Sequence, residues 1–191
     1  MSQEALHHPF LEGDQVYLRG LMREDIDGPW FDWFHDQENT RFMYNGSRPN
    51  SRESMESFYQ HAATSKNDLI LAICMKEDNR HIGNLSLQQI SWFYRRAELG
   101  IIVGDRSVQG RGVATEAMKL LLAHGFNRLN LHKVYLRVEE GNTAARRAFE
   151  KVGFVVEGVL REEILHHRTW SNSVYMGVLE EEFFERFPEM K

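Results

Sequence analysis

The hydrophobic positions of this chain follow two periods, and the change between them separates predicted strands from predicted helices. Short apolar or alternating runs predict strands. Such runs occupy residues 16–19, 69–75, 81–88, 97–103 and 133–138. The polar segment 76–80 predicts a hairpin turn between the second and third runs. Residues 159–179 predict two closing strands around a turn at 167–172.

Helical periodicity appears in four segments. The aromatic segment Trp30–Phe34 and residues 51–63 predict two helices early in the chain, separated by a turn at 43–49 that contains Asn-Gly and Pro. A helix of about four turns is predicted from Val113 onward by its three- and four-residue apolar spacing. The last helix is predicted to begin after Asn142, a favoured N-cap residue, and to end at Gly153.

The order of these elements predicts one mixed α/β domain. We expect residues 1–12 to form a flexible N-terminal segment, residues 13–182 the folded domain and residues 183–191 a C-terminal tail.

Composition removes several classes of function. A net charge of -5, from 23 basic and 28 acidic residues, argues against a nucleic-acid partner. No run approaches the ~20 apolar residues that span a bilayer, so we expect no membrane partner and a cytoplasmic location. The single cysteine, Cys74, lies in an apolar run and is expected to be a buried thiol. We expect no metal site, because the adjacent pairs His7–His8 and His166–His167 would point to opposite faces of a strand.

The segment Gln109-Gly-Arg-Gly-Val-Ala114 carries the strongest chemical signal. Its glycines allow a tight turn and a close approach of the backbone to a ligand. The unpaired amides and the dipole at the start of the following helix favour an anion, so the segment predicts a phosphate or pyrophosphate site. Thr115 could add a hydroxyl. A nucleotide P-loop pattern is absent, and a dinucleotide fingerprint requires Gly or Ala where Thr115 stands. A plain glycine-rich turn is the other interpretation.

The same segment resembles the Q-x-x-G-x-G/A motif of the GCN5-related N-acetyltransferases (GNAT). The resemblance runs from about Val16 to Leu179 and is strongest at residues 97–161. Asn142-Thr-Ala-Ala-Arg-Arg-Ala-Phe-Glu-Lys-Val-Gly-Phe154 is similar to the family's second helix motif. The branches that the chain resembles most are the ribosomal-protein N-terminal, spermidine and amino-sugar acetyltransferases.

The resemblance implies a GNAT fold, in which a mostly antiparallel sheet has two splayed central parallel strands and flanking helices. It implies acetyl-CoA as cosubstrate and no metal. Backbone groups of the strand would pair with pantetheine, the loop amides would hold the pyrophosphate, and Asn142 would bond to the pantetheine arm. Arg146 and Arg147 could reach the 3′-phosphate, and a solvated helix face is the alternative for these two arginines. The implied cofactor-binding residues are Ile101, Ile102, Val103, Gln109, Gly110, Arg111, Gly112, Val113, Ala114, Thr115, Asn142 and Arg147.

The resemblance also implies direct attack of an acceptor amine on the thioester, with a base that takes the amine proton. Glu98 is the predicted base, and the alternative is a strand-edge glutamate paired with Arg95 or Arg96. Two positions depart from the family pattern, since the usual acid tyrosine is replaced by Phe149 and the usual serine by Ala145. Water, or another tyrosine such as Tyr175, would then protonate the leaving thiolate.

The acceptor is predicted to be the primary amine of a small molecule, either an amino sugar or a polyamine. Basic and aromatic residues in the N-terminal third suit a nucleotide-linked sugar better than a polyamine. A peptide N-terminus is an alternative acceptor. The absence of an acid at Phe149 also keeps open an acyl-CoA-binding sensor with weak activity. The exposed edge of the closing strands could support a homodimer.

Overall fold

Eight strands account for most of the regular structure in a computed structural model, which describes residues 8–43, 48–166 and 168–191. They are β1 (Leu11–Glu12), β2 (Val16–Gly20), β3 (Leu69–Met75), β4 (His81–Ser91), β5 (Arg96–Val103), β6 (Lys133–Glu139), β7 (Val155–His166) and β8 (Thr169–Leu179). They form one sheet in the order β1-β2-β3-β4-β5-β6-β8-β7.

Helices connect or follow these strands. Within the described residues, the α-helices are α1 (Trp30–Trp33), α2 (Arg52–Thr64), α3 (Val113–Asn127), α4 (Thr143–Lys151) and α5 (Glu180–Arg186). Shorter 3-10 turns lie at Arg23–Asp27, Arg106–Val108 and Pro188–Met190. Ser51 caps α2 by accepting a hydrogen bond from the Ser54 amide.

The parallel pair β5–β6 is the irregular part of the sheet. The β1–β2, β2–β3, β6–β8 and β7–β8 pairs are antiparallel. The register of β5 with β6 joins only three residue pairs, of which the last is Glu98–Tyr135. Both strands continue beyond that pair, to Val103 and to Glu139. The predicted mostly antiparallel sheet with splayed parallel strands is therefore confirmed.

Contacts divide the chain into two compact units. The first consists of the chain up to Ser86 together with Ile101–Leu120. Apolar side chains of α1, α2 and the turn before α1 form one of its cores. The buried members of this core are Ile26, Trp30, Trp33 and Met55. The predicted burial of Cys74 is confirmed, and burial raises the pKa of its thiol.

The second unit comprises Leu87–Gly100 and Leu121–Lys191. Phe183 of α5 is fully buried and packs with Phe126 of α3, their ring centroids lying 5.4 Å apart. The prediction of a C-terminal tail from residue 183 is therefore wrong, because the apolar face of α5 belongs to the core of this unit.

Two other predicted boundaries change. The predicted closing turn at 167–172 is too long, since β8 begins at Thr169 and its pairing with β7 extends to His166–Thr169. The predicted N-terminal segment 1–12 contains β1, which pairs with β2, while residues 1–7 lie outside the described residues. Residues 44–47 of the predicted turn at 43–49 also lie outside them. Gly153 has the positive φ of 104° expected at a helix C-terminus.

Candidate active site

The predicted anion-binding loop lies in the first unit, between β5 and α3. A 3-10 turn at Arg106–Val108 precedes it, and the fully buried Val108 anchors this turn. Gly110 and Gly112 have φ values of 76° and 81°, a region that strongly favours glycine. These two residues let the chain turn from the sheet into the helix within a few residues.

The start of α3 presents backbone amides that have no helical acceptor. The first backbone hydrogen bond of the helix is donated by Glu116 to the Gly112 carbonyl, at 3.0 Å. The amides of Val113, Ala114 and Thr115 precede it, in the turn where helices leave N–H groups unpaired. The buried side chain of Val113 holds this turn against the core.

The loop has room for a diphosphate. A Cβ built at Gly110 or Gly112 meets no heavy atom within 4 Å, and Gln109–Gly112 are exposed. The Arg111 guanidinium points to Glu77, with Nη1 3.3 Å from Oε1. Backbone groups thus define the cradle, and the residues present fit the pyrophosphate of acetyl-CoA.

The end of β5 carries the predicted pantetheine-binding residues. The amide of Gly104 donates to the Ile82 carbonyl of β4, and the Ile102 carbonyl lies against Gly83. Because successive residues of a strand direct their backbone groups to opposite edges, Ile101 and Val103 direct theirs away from β4. These two residues, rather than Ile102, have the orientation that the prediction requires.

Helix α4, in the second unit, carries the other predicted cofactor residues. The Asn142 side chain caps the helix by accepting a hydrogen bond from the Ala145 amide at 3.2 Å, so the predicted N-cap is confirmed. Its amide N–H groups remain the donors for a ligand. Arg147 is exposed. Phe149 is buried against Phe154, with ring centroids 5.9 Å apart, so its side chain acts as core filler.

Glu98, the predicted base, is held by two side chains of the second unit. Arg137 Nε donates to Glu98 Oε1 at 3.0 Å, and Gln89 Nε2 donates to Oε2 at 3.4 Å. The carboxylate side chain is 17% exposed. The alternative predicted that Glu98 pairs with Arg95 or Arg96. The arginine that contacts Glu98 is Arg137 instead, and Arg95 contacts Asn130 and Glu180.

Aromatic and cationic side chains surround Glu98 on the same face of the sheet. Tyr135 is its partner in the β5–β6 register. The guanidinium of Arg96 lies 5.7 Å from the Tyr135 ring centroid and 5.6 Å from that of Tyr94. We call Glu98, Arg96, Tyr135, Arg137 and Tyr175 the Glu98 face. Arg137 lies opposite Tyr175 in the β6–β8 register.

Arg137 is the partner of Glu98 that the sequence interpretation missed. A hydrogen bond to Glu98 is the first cause that raises the pKa of its guanidinium, and Tyr175 adds to the shift. The available signal was the alternation of β6, which puts Lys133, Tyr135 and Arg137 on one face. The partner strand that would have linked this face to Glu98 could not be named from the sequence.

A buried polar group lies apart from the loop in the first unit. Arg19 and Asp25, both about 95% buried, form a bidentate pair at 2.7 and 2.8 Å. His81 Nδ1 lies 3.4 Å from Asp25 Oδ1. Burial alone would raise the pKa of Asp25, but hydrogen bonds from Arg19 and His81 outweigh it and hold that pKa well below its usual range.

A cavity of about 480 Å³ opens beside this group in the same unit. Its wall includes Asp36 and Asp105, which are paired with Arg106 and Arg80 respectively. Arginines therefore balance these two carboxylates, and Asp32 is a third carboxylate in the same wall.

Within residues 8–43, 48–166 and 168–191, no three His, Cys, Asp or Glu side chains are grouped so as to hold a metal ion. In the same described part of the chain, no helix combines the length and the apolar character needed to cross a bilayer.

Known proteins share this fold. A family model described as an acetyltransferase (GNAT) domain matches residues 15–155. Spermidine N(1)-acetyltransferase of Escherichia coli K12 is 30% identical over 172 residues, covering 88% of each protein. The putative ribosomal N-acetyltransferase YdaF of Bacillus subtilis is 28% identical over 106 residues, covering 56% of this chain and 57% of YdaF.

A solved structure extends the likeness over the whole fold. The spermidine N-acetyltransferase of Vibrio cholerae, crystallised in complex with CoA and spermine, matches with a TM-score of 0.81 at 26% identity. The match covers 90% of this chain and 99% of that chain. From the family model and the full-length relatives, the chain belongs to the GNAT acetyltransferase family.

Proposed function

We propose that the protein transfers the acetyl group of acetyl-CoA to a primary amine of a polyamine. The observation that carries the proposal is the glycine loop at the start of α3, whose open amides fit a diphosphate in a chain of this family. The polyamine is favoured over an amino sugar because the E. coli relative is a spermidine acetyltransferase and the V. cholerae structure contains spermine. Because the reaction consumes acetyl-CoA, we expect it to take place in the cytoplasm, where acetyl-CoA is supplied.

We assign the cosubstrate contacts as the sequence predicts. The amides of Gly110, Gly112, Val113 and Ala114 bind the pyrophosphate, and Thr115 adds its hydroxyl. The Arg111 amide already donates to the Val108 carbonyl at 3.2 Å, so Arg111, like Gln109, borders the site. The outward backbone groups of Ile101 and Val103 pair with pantetheine, the Asn142 amide bonds to its arm, and Arg147 reaches the 3′-phosphate. The support is the geometry of each segment in its own unit.

The proposed reaction is a direct displacement. The amine nitrogen attacks the thioester carbonyl carbon, the N–C bond forms, and the C–S bond breaks to release CoA as a thiolate. Glu98 takes the proton that the amine loses. Its two hydrogen bonds orient the carboxylate, and its 17% exposure keeps it accessible.

Water is the proposed proton source for the leaving thiolate. Phe149 is buried against Phe154 and has no proton to give, and Ala145 has none either. A thiolate is a good leaving group because the thiol is a comparatively strong acid, so an acid in contact with sulfur is dispensable.

A homodimer is the oligomeric state that we propose. Strand β7 is the last strand in the sheet order. It carries exposed apolar side chains at Val155, Val159, Leu160 and Leu165, and a second β7 strand could pair with the backbone of its open edge and place its own apolar side chains beside them. Light scattering of the purified protein should give twice the chain mass, and Leu160→Glu should lower it. A monomeric wild-type protein would contradict the dimer.

Release of CoA thiol during incubation with acetyl-CoA and an acceptor tests the enzymatic proposal. We expect release with spermidine and spermine, with mass spectrometry detecting the monoacetylated polyamine. Glucosamine and a peptide with a free N-terminus are the comparison acceptors. Transfer only to the peptide would favour the ribosomal-protein type of activity, for which the partial match to YdaF is the supporting observation. Binding of acetyl-CoA without transfer to any amine would favour a sensor.

A further inference from the structure

We propose that Arg137 is a positioning residue for the reaction, which orients Glu98 and favours the neutral form of the acceptor amine. The inference rests on the proposed function, in which Glu98 takes the amine proton. It adds a role for Arg137, to which the motif resemblance assigned none.

The geometry assigns Arg137 to one oxygen of the carboxylate. Its Nε lies 3.0 Å from Glu98 Oε1, whereas Gln89 contacts Oε2 at 3.4 Å. Arg137 follows Tyr135 by two residues along β6, so its side chain lies on the same face of the sheet as that of Tyr135. Tyr135 belongs to the last residue pair between β5 and β6, so Arg137 lies just beyond the point where the pairing ends. Gln89 has a positive φ of 51°, an unusual conformation for a residue with a side chain, and strain of this kind clusters at functional sites.

The solvent exposure of the Arg137–Glu98 pair is an argument against a purely structural role for Arg137. The Arg137 side chain is 48% exposed, and ion pairs with that much solvent contact add little to folding stability. The guanidinium is charged at any pH suited to assays, because arginine is effectively always protonated in proteins, and the hydrogen bond to Glu98 raises the pKa of Arg137 further.

The charge of Arg137 acts on whatever approaches Glu98. An acceptor that arrives as an ammonium ion brings a second cation to a carboxylate that already holds one. A like charge nearby disfavours the charged form of a titrating group, and the same effect activates lysine nucleophiles beside another cation. The acceptor would therefore lose its proton at a lower pH, and more of it would be the nucleophilic free amine.

The other charged groups of the neighbouring strands do not replace this effect. Lys133 is paired with Glu157 of β7, and the Arg96 guanidinium lies over the rings of Tyr94 and Tyr135. The other titratable and charged groups on the same side of the sheet as the Glu98 face are Arg96 on β5, Lys133, Tyr135 and Glu139 on β6, Glu157 on β7, Tyr175 on β8 and Tyr94 in the β4–β5 turn. Arg137 is the cation in hydrogen-bond contact with Glu98.

The pH profile of kcat/KM for spermidine, measured at saturating acetyl-CoA, tests the inference. The variants are Arg137→Gln, which can keep a hydrogen bond to Glu98 but has no charge, and Arg137→Lys, which restores the charge. We expect Arg137→Gln to move the acid limb of the profile upward by about one pH unit, which is about tenfold in rate at a pH on that limb. Its alkaline plateau and its KM for acetyl-CoA should stay near the wild-type values. Arg137→Lys should return the limb most of the way.

Two results would overturn the inference. One is an acid limb that Arg137→Gln leaves in place. The other is an equal loss of rate in both variants at every pH, which would indicate a structural role. Melting curves of the two variants would then show whether the loss of rate comes from a less stable fold. Failure of the proposed function has a different signature, since wild-type protein would then release no CoA with spermidine, and the inference would fall with it.

Discussion

In the proposed function, the glycine loop acts through its backbone and the Glu98 face acts through its side chains. The loop works through its backbone, because two glycines with positive φ and the first turn of α3 present amides and no side chain is required. The Glu98 face works through side chains from β5, β6 and β8, brought together by strand pairing. Substitutions should therefore act differently in the two places. The loop should be sensitive to added atoms, and the Glu98 face to lost charges.

The largest effect is expected from Glu98→Gln, which removes the proposed base and leaves the shape almost unchanged. We expect kcat with spermidine to fall by about 10²–10³-fold near neutral pH, the range typical of a lost general base. Acetyl-CoA should still raise the melting temperature, because its pyrophosphate site is elsewhere. The unfolding free energy should change by less than about 1 kcal/mol, since the ion pair is partly exposed. A variant that keeps wild-type kcat would remove Glu98 from the mechanism.

The same carboxylate-to-amide change at Asp25 provides the matched contrast. Asp25→Asn leaves the buried Arg19 guanidinium without its counter-charge, and breaking such a pair costs about 3 kcal/mol of unfolding free energy. We expect a lower denaturation midpoint, with kcat of the folded fraction close to that of the wild type. An Asp25→Asn protein as stable as the wild type would show that the buried pair is dispensable.

Acid should reproduce part of this loss. The pKa of Asp25 is lower in the folded state than in the unfolded chain, so its stabilising contribution is present at neutral pH. It starts to decline as pH falls through the unfolded value of about 4 and is lost towards the lower folded pKa. Denaturant titrations of wild type below pH 4 should therefore show a fall in unfolding free energy, and Asp25→Asn should lack this part of it.

A smaller effect is expected from a side chain added to the loop. Gly112→Val puts a β-branched residue at φ 81°, a strained conformation for it. A penalty of about 1–2 kcal/mol would weaken acetyl-CoA binding by about tenfold. Gly20→Val is the control, because that glycine is also exposed and open but lies in a strand. Calorimetric titration should separate the two variants. Equal affinities would mean that the loop conformation is not needed.

The smallest effect is expected from the removal of a side chain that belongs to the loop. Arg111→Ala removes an exposed contact with Glu77 and leaves the backbone as it is. We expect the dissociation constant for acetyl-CoA to change by less than about threefold, which corresponds to less than 1 kcal/mol. A loss of tenfold or more would show that the guanidinium binds the diphosphate and would weaken the contrast between the two regions.

The contrast also explains what could be predicted from the sequence. The loop, α3 and the N-cap at Asn142 are local features, and residues within one or two turns determine them. The fold class followed from the order of such elements, and strand β3 has the predicted bounds, Leu69–Met75. Glu98 as base remained a prediction because it came from the family resemblance.

The features that could not be predicted from the sequence depend on pairing between segments that are distant along the chain. The contact of Glu98 with Arg137 crosses from β5 to β6, 39 residues along the chain. The helix α5 was not predicted because its apolar residues, Phe183 and Phe184, are few and follow a run of glutamates. The burial of these two residues becomes apparent only when Phe126 of α3 is placed beside them.

A thermal-shift titration with acetyl-CoA, with ATP and NAD as controls, tests the central claim most directly. A ligand that binds only the folded state stabilises it by ~2.7 kcal/mol at a hundredfold excess over its dissociation constant. The account predicts a concentration-dependent rise in melting temperature with acetyl-CoA alone. No rise with acetyl-CoA, or a rise only with ATP or NAD, would contradict the assignment of Gln109–Thr115 as the pyrophosphate site.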